Sequence, residues 1–192
     1  MLVVLSSPSG GGKTVIARSL LKKHPEFGRS ISFTTREKRK GEKEGVDYYF
    51  VNRKDFQKKI KERQFAEWAS VFGNYYGTPN KNIQKAEGKI EVLLLVLDVQ
   101  GGLALKRKYQ DSVLIFILPP SLAELEKRLS HRGTDKPGVI EKRLKAALKE
   151  ITFCKKYDYI VVNIKLKDTV KLLEEIITLK STGQRGRCWK FV

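Results

Sequence analysis

The fold of this chain is decided by one stretch near its start, Ser7-Pro8-Ser9-Gly10-Gly11-Gly12-Lys13-Thr14. An apolar run, Leu2 to Leu5, precedes it, and a helical pattern, Val15 to Leu21, follows it. Glycines let successive backbone N–H groups turn inward around a phosphate, and the following helix directs its positive dipole end at the same point. Lys13 adds a mobile charge, and Thr14 adds a hydroxyl suited to Mg²⁺. The order strand, loop, helix therefore predicts a phosphate-binding loop.

The first position of the loop departs from the pattern G-x-x-x-x-G-K-[ST], because Ser7 stands where glycine is usual. A glycine-rich turn that binds nothing is the alternative interpretation. Such a turn needs neither the Lys13-Thr14 pair nor a buried strand before it. The phosphate-binding interpretation is therefore favoured.

The length of 192 residues suits one α/β domain with mobile parts. We find no run of the ~20 apolar residues that a membrane span needs, and the chain begins directly with a strand pattern. We therefore expect a cytoplasmic protein without a membrane partner. The cysteines and histidines are far apart, which indicates reduced thiols and argues against a structural zinc site: Cys154, Cys188, His24 and His131.

The net charge of +18 has two interpretations. Lysine-rich runs at 54–61 and 106–108 have helical spacing, and such basic faces can attract nucleic acid without specificity. Alternatively, they are solvated surface lysines. We favour the second interpretation and expect no specific nucleic-acid partner, because no basic and aromatic motif organises these charges.

Apolar runs alternate with helical patterns along the chain, which predicts an α/β fold with a parallel sheet covered by helices on both faces. The pattern predicts strands at 2–5, 29–33, 48–51, 65–72, 75–78, 91–98, 112–118 and 159–162. It predicts helices at 15–21, 55–63, 122–132, 139–156 and 170–179. Residues 34–47 are predicted to be a loop, and 133–138 a flexible connection. The short pieces after residue 34 predict a partly β insertion that overhangs the phosphate loop.

Several charged residues are placed where phosphate chemistry would need them. Asp98 ends the most apolar run, and an aspartate at the carboxyl end of a parallel strand points into the crevice where ligands bind. Arg128 and Arg132 are four residues apart and share one helix face, so with Arg143 they could converge on phosphates. Solvated surface charge is the alternative for each arginine.

These residues carry a resemblance to guanylate kinases that runs from Leu2 to Leu179. The motifs that match, all in the family's order, are Ser-Gly-Gly-Gly-Lys-Thr at 9–14, Ser-Phe-Thr-Thr-Arg-Glu-Lys-Arg at 32–39, Gly-Val-Asp-Tyr-Tyr-Phe at 45–50, Phe-Ala-Glu-Trp at 65–68, Gly-Asn-Tyr-Tyr-Gly-Thr at 73–78, Leu-Asp-Val-Gln-Gly at 97–101, Arg-Leu-Ser-His-Arg-Gly-Thr at 128–134, Lys-Arg-Leu at 142–144 and Tyr-Asp-Tyr-Ile-Val-Val-Asn at 157–163.

The resemblance implies an ATP:GMP phosphotransferase with the substrates ATP and GMP, with dGMP as an alternative acceptor, and Mg²⁺ as the metal. It implies that the GMP phosphate is held by Arg36, Arg39, Tyr48 and Tyr76, and the guanine by Ser32, Glu67 and Thr78. A carboxylate at Glu67 can accept from the adjacent N1–H and N2–H₂ donors of guanine, whereas adenine offers an acceptor at N1. The alternatives are that Glu67 is an ordinary exposed strand acid and that Tyr48 and Tyr76 are packing aromatics.

For ATP, the resemblance implies binding by residues 7–14, with Thr14 on the metal and Asn163 near the adenine. It implies that Lys13, Arg128, Arg132 and Arg143 stabilise the transferred phosphate, while Asp98 orients metal-bound water or substrate. Three residues depart from the family pattern, namely Ser7, Val96 and Ile164, and we expect them to affect catalytic efficiency more than substrate class.

The expected organisation is a core of residues 1–33, 84–124 and 157–180, a GMP-binding insertion of 34–83, a helical lid of 125–156 and a basic tail of 181–192. The oligomeric state is left open between a monomer and a homo-oligomer. Two rival functions remain: a non-catalytic guanylate-kinase-like interaction domain, and a nucleic-acid-associated NTPase that the charge would favour.

Overall fold

The structure is a computed structural model that describes residues 1–130 and 137–182. Five strands form its central sheet in the order β2-β7-β1-β8-β9, and every neighbouring pair is parallel. The strands are β1 (Leu2–Ser6), β2 (Gly28–Arg29), β7 (Leu93–Val96), β8 (Val113–Leu118) and β9 (Tyr159–Val162). The predicted parallel sheet is confirmed.

A second sheet of four strands has the order β4-β3-β6-β5. Its strands are β3 (Phe33–Thr34), β4 (Tyr49–Phe50), β5 (Phe65–Val71) and β6 (Asn74–Pro79). The helices are α1 (Lys13–Lys23), α2 (Arg53–Lys61), α3 (Asn80–Ala86), α4 (Val99–Lys108), α5 (Leu122–Ser130), α6 (Pro137–Thr152) and α7 (Leu166–Ser181), and a 3₁₀ turn, Phe153–Lys156, follows α6.

Helices cover both faces of the central sheet because successive strand residues point to opposite sides. On one face, Val3 and Leu5 pack with α1 and α7. On the other face, Val4 packs with α3 and α4. The strands are buried on both sides, which explains why β8 is apolar at every position.

The second sheet has a small aromatic core of its own. Phe56 of α2 is fully buried and stacks on Phe65, with ring centroids 4.6 Å apart, and on Tyr75 at 5.4 Å. The helix begins at Asn52, whose side chain accepts a hydrogen bond from the backbone N–H of Asp55 at 2.8 Å. Packing of α2 on this sheet holds the inserted segment together.

The prediction of one strand at 29–33 is wrong. Two short strands occupy this region, β2 in the central sheet and β3 in the second sheet. The backbone N–H of Ser30 still bonds to Leu94 of β7, but Ser32 already accepts from Tyr49 of β4. Asn82 donates to the Ser30 hydroxyl and to the Ile31 carbonyl, both at 3.0 Å, and so satisfies polar groups where the chain crosses between sheets.

Other boundaries differ by a few residues, and α3 and α4 were not predicted. Helix α4 contains two glycines, Gly101 and Gly102, that weaken its helical pattern, and α3 is only seven residues long. Some predictions fall outside the described residues: the helix end at 131–132, the connection at 133–136, the tail from residue 183, His131 and Cys188. Within residues 1–130 and 137–182, no helix combines the length and apolarity needed to cross a bilayer, and Cys154 is a free thiol.

The aromatic core of the second sheet predicts a large stability loss on truncation of Phe56. Phe56→Ala should lower the free energy of unfolding by about 3–5 kcal/mol, since it removes buried area and leaves a cavity. Phe153→Ala is the matched control, because Phe153 is 38% exposed and its loss should cost less than about 1 kcal/mol. Urea unfolding of both variants checks this, and equal losses would contradict the described packing.

Candidate active site

One cavity of about 450 Å³ lies between the phosphate loop, the second sheet and α6. It opens at the carboxyl edge of the central sheet, where ligands bind in open parallel sheets. Most of the predicted site residues line it: Ser7, Ser9, Gly10, Gly11, Gly12, Lys13, Thr14, Ser32, Arg36, Arg39, Tyr48, Glu67, Tyr76, Asp98 and Arg143. The fold thus brings together residues from five separate stretches of the chain.

The loop between β1 and α1 needs glycine at two positions. Gly10 has a φ of 90° and Gly12 a φ of 96°, both in the left-handed region that side chains disfavour. The carbonyl of Gly12 accepts the first helical hydrogen bonds of α1, from Val15 and Ile16 at 3.1 Å. Lys13 donates from Nζ to the Ser7 carbonyl at 3.0 Å, so its ammonium is held across the loop.

The unusual Ser7 is accommodated by a glycine elsewhere in the loop. Its hydroxyl donates to the Pro8 carbonyl at 2.8 Å, and the side chain is buried beneath Gly11. A Cβ at position 11 would lie 2.6 Å from the Ser7 hydroxyl and 2.8 Å from its Cβ. The usual pattern has glycine at the first position and any residue at the fifth, whereas here the serine at the first position packs against a glycine at the fifth.

Asp98 follows β7 and begins α4. Its Oδ1 accepts from the backbone N–H groups of Gln100 at 2.8 Å and Gly101 at 3.2 Å. This capping holds the carboxylate at the edge of the cavity, where the aspartate was predicted. The second carboxylate oxygen remains directed to the same region as Glu67, since a Cβ at Gly101 would lie 2.6 Å from Glu67 Oε2 and 3.3 Å from Asp98 Oδ2.

Glu67 on β5 is a buried carboxylate. Thr78 on the paired strand β6 donates to its Oε1 at 2.5 Å. Burial, with the negative charge of Asp98 adding to it, raises the pKa of Glu67 to about 7, although the Thr78 hydrogen bonds act in the opposite direction. The interpretation of Glu67 as an exposed strand acid is therefore wrong, because only 7% of the residue is exposed.

Arg36 lies at the side of the cavity that Arg39 and Glu42 also line. Its guanidinium makes two hydrogen bonds to Glu42, at 2.9 and 2.8 Å, and lies 5.4 Å from the Tyr48 ring centroid. Burial works against the charge, but Glu42 and Tyr76 outweigh it and raise the pKa of Arg36. Arg39 lies beside it, where its backbone N–H donates to Glu42 at 2.8 Å.

Tyr48 and Tyr76 pack against each other edge to face, with ring centroids 6.0 Å apart, and both also line the cavity. Burial raises the pKa of the Tyr48 hydroxyl, followed by a contribution from Tyr76. The Tyr48 hydroxyl therefore stays protonated and can donate a hydrogen bond. Packing and ligand binding are compatible roles here.

Three acidic residues of the site were not predicted from the sequence: Glu42, Asp47 and Glu150. Asp47 is paired with Arg18 of α1 and accepts from the backbone N–H of Lys43 at 2.8 Å, which ties the inserted segment to the helix after the phosphate loop. Glu150 accepts from the backbone N–H of Ser9 at 3.2 Å. It lies seven residues after Arg143, two helical turns along α6, and this spacing was the signal that could have identified it.

The remaining predicted residues lie outside the cavity lining. Pro8 turns the loop, Thr78 acts through Glu67, and Arg128 pairs with Glu124 at 2.9 Å. Asn163 donates to the Gly11 carbonyl at 3.4 Å and accepts from Thr169 at 3.0 Å, so it supports the loop from behind. Arg132 falls outside the described residues. The assigned roles of all these residues stay predictions.

The sequence of the chain is similar to those of known proteins over most of its length. The sequence model of the guanylate kinase family matches residues 1–180. The guanylate kinase of Carboxydothermus hydrogenoformans is 47% identical over 178 residues, which cover 93% of this chain and 87% of the relative. That of Desulfitobacterium hafniense is 41% identical and covers 100% of this chain and 96% of the relative.

A solved structure has the same fold. The crystal structure of guanylate kinase from Anaplasma phagocytophilum superposes with a TM-score of 0.77 at 37% identity, covering 98% of this chain and 88% of that one. Sequence and structure thus agree over nearly the whole chain. The chain belongs to the guanylate kinase family.

Proposed function

We propose that the protein transfers the γ-phosphate of ATP to GMP and releases ADP and GDP. The single observation that supports this most directly is the shared cavity. A phosphate-binding loop at one side and a buried carboxylate, Glu67, with the cation Arg36 at the other side suit two nucleotides that meet at their phosphates. The guanylate kinase relatives support the same reaction.

Guanine would be recognised by Glu67, Thr78 and Ser32. An ionised carboxylate accepts from both guanine donors at once, and a base that lacks this donor pair would leave the buried group unsatisfied. Thr78 already holds Oε1, so the carboxylate is oriented before the base arrives. Ser32 is buried and lines the same cavity as Glu67, where its hydroxyl would contact the base.

The GMP phosphate would be held by Arg36, Arg39, Tyr48 and Tyr76. Arginine presents paired N–H donors that match phosphate oxygens, and the tyrosine hydroxyls would add further hydrogen-bond donors. Glu42 orients Arg36 through two hydrogen bonds, so the guanidinium is preorganised for the phosphate. The phosphate oxygen that attacks is already largely ionised near neutral pH, so no general base is needed.

ATP would lie on the phosphate loop, with backbone N–H groups and Lys13 around its phosphates. The oxygen groups at the cavity suit Mg²⁺, because Thr14 and Asp98 offer a hydroxyl and a carboxylate, and Mg²⁺ takes one or two such ligands together with substrate phosphates. When bound, the metal would neutralise charge on the phosphates. Asn163 would stabilise the loop and approach the adenine.

Transfer would proceed in line. An oxygen of the GMP phosphate forms a bond to the γ-phosphorus while the bond from that phosphorus to the β-phosphate oxygen breaks, and ADP leaves. Lys13 and Arg143 line the cavity and would stabilise charge on the transferred group. Arg128 would leave Glu124 and bind phosphate, since such an i,i+4 helical pair contributes only ~0.2–0.5 kcal/mol. Arg132 is proposed for the same role from the sequence.

The domain organisation is proposed on the same basis: a core, a GMP-binding insertion at 34–83 and a lid at 125–156. Binding of both substrates would bring insertion and lid together and exclude water.

Several further properties stay predictions from the sequence: the cytoplasmic location, the monomeric or homo-oligomeric state, the lack of specific nucleic-acid and membrane partners, and the acceptance of dGMP. Lys13, Thr14 and the cavity argue against a non-catalytic domain.

The first test is the choice of acceptor. Incubation with Mg²⁺ and ATP should give rapid ADP production with GMP and at least on the order of 100-fold slower production with AMP or CMP, because only guanine satisfies Glu67. A coupled assay of ADP release measures this. Equal or faster turnover with AMP or CMP would overturn the proposal, and ATP hydrolysis stimulated by RNA without GMP would favour the NTPase alternative.

The second test is the pH dependence of GMP binding. Because the raised pKa of about 7 leaves free Glu67 half-protonated at neutral pH, GMP affinity should fall as the pH drops below 7, approaching ~10-fold per unit, and level off above it. Isothermal titration between pH 5.5 and 8.5 measures the dissociation constant. The phosphate of GMP also titrates near pH ~6.

Glu67→Gln separates the two titrations. The amide cannot accept from both guanine donors, so GMP should bind on the order of 10- to 100-fold more weakly at pH 8. Its affinity should then change with pH only through the GMP phosphate. A variant with wild-type affinity and wild-type pH dependence would remove Glu67 from the GMP site.

A further inference from the structure

A large apolar side chain occupies an unfavourable backbone position at the edge of the cavity. Phe72 and Gly73 are the two turn residues between β5 and β6, with φ angles of 49° and 78°. Two positive φ angles in a two-residue hairpin define a turn that favours Asn-Gly. A bulky aromatic residue is strained there. Phe72 is also 50% exposed, so burial does not offset that strain.

The exposed ring faces a residue of the opposite wall. The Arg143 guanidinium carbon, on α6, lies 5.8 Å from the centroid of the Phe72 ring, within the range of a cation–π contact. Both side chains line the same cavity as the phosphate loop. The hairpin tip therefore contacts α6 across the site, through a residue that the sequence analysis assigned to the transferred phosphate.

A strained backbone conformation is often found at a functional site, where the side chain makes a contact that the residue preferred in that conformation could not make. Asparagine at position 72 would suit the turn but offers no aromatic face. The only other non-glycine residue with positive φ in the described part of the chain is Arg63, at 53°, and it lies after α2 away from the cavity. The unusual turn residue is thus found where the two walls meet.

We propose that Phe72 is a positioning residue that holds Arg143 over the phosphate site and links the GMP-binding insertion to α6. The inference rests on the proposed function, in which Arg143 stabilises the transferred phosphate. A guanidinium contacts an aromatic ring through its flat face, whereas it binds phosphate through the N–H donors at its edge, so the two contacts are compatible. Movement of the insertion onto GMP would carry the Phe72 ring, and Arg143 with it.

The decisive variant is Phe72→Asn, which relieves the turn and removes the ring. It should raise the unfolding temperature by about 2–4 °C while lowering kcat by about 3- to 10-fold. The KM for GMP should change less than about twofold, because Phe72 lies outside the proposed guanine and GMP-phosphate contacts. A stabilised variant with lower kcat separates positioning from a structural role.

Three further variants control the experiment. Phe72→Tyr keeps the aromatic face and should restore kcat to within about twofold of wild type. Arg63→Asn relieves the same backbone conformation elsewhere and should raise stability with unchanged kinetics. In an Arg143→Gln background, which has no cation at this position, Phe72→Asn should lower kcat by less than about twofold, because the two side chains act as a unit.

The outcomes are distinguishable. Wild-type kcat in Phe72→Asn, or the same loss in the wild-type and Arg143→Gln backgrounds, would overturn the positioning role while the proposed function stands. A wild-type protein without GMP-dependent ADP production would overturn the proposed function, and the inference with it. Lower kcat together with lower stability in Phe72→Asn would assign the loss to the turn and also overturn the inference.

Discussion

The parallel pairing of β1 with β7 is the constraint on which the site depends. Its register places Leu5 beside Val96, so the phosphate loop and Asp98 leave the sheet at the same edge. Asp98 then begins α4, and α4 passes so close to β5 that Gly101 can carry no side chain beside Glu67. The register of β1 and β7 thereby helps to set the distance between the phosphate loop and Glu67 across the cavity.

Local patterns were sufficient to predict much of this arrangement. The loop glycines and the apolar runs of β1 and β8 act within a few residues, so the parallel sheet and the phosphate site could be predicted from spacing alone. The crossing of the chain from one sheet to the other at Ser30 and Ser32 could not be predicted in this way. It depends on contacts with Asn82 and β7, which lie more than fifty residues further along the chain. Glu42 was missed although its partners Arg36 and Arg39 lie only six and three residues away, because the loop at 34–47 has no periodic pattern that shows which side chains meet. Glu150 was missed although its spacing from Arg143 places both on one face of α6.

The three acids that were not predicted, Glu42, Asp47 and Glu150, hold basic side chains and the phosphate loop in position. Glu42 orients Arg36, Asp47 pairs with Arg18, and Glu150 bonds to the phosphate loop. Burial would raise the pKa of Glu42, but Arg36 and the backbone N–H of Arg39 lower it overall, so the acid stays ionised. For Glu150, burial dominates and raises the pKa despite Lys13 nearby. The site therefore combines carboxylates whose pKa values are shifted in opposite directions.

The packing of Ser7 beneath Gly11 couples the two positions. A Cβ at position 11 would overlap the serine and would also lie 3.1 Å from the Pro8 carbonyl oxygen. Shortening the side chain at position 7 removes the first of these contacts and leaves the second. The effects of substitutions at positions 7 and 11 are therefore expected to be non-additive, because each changes the space available to the other.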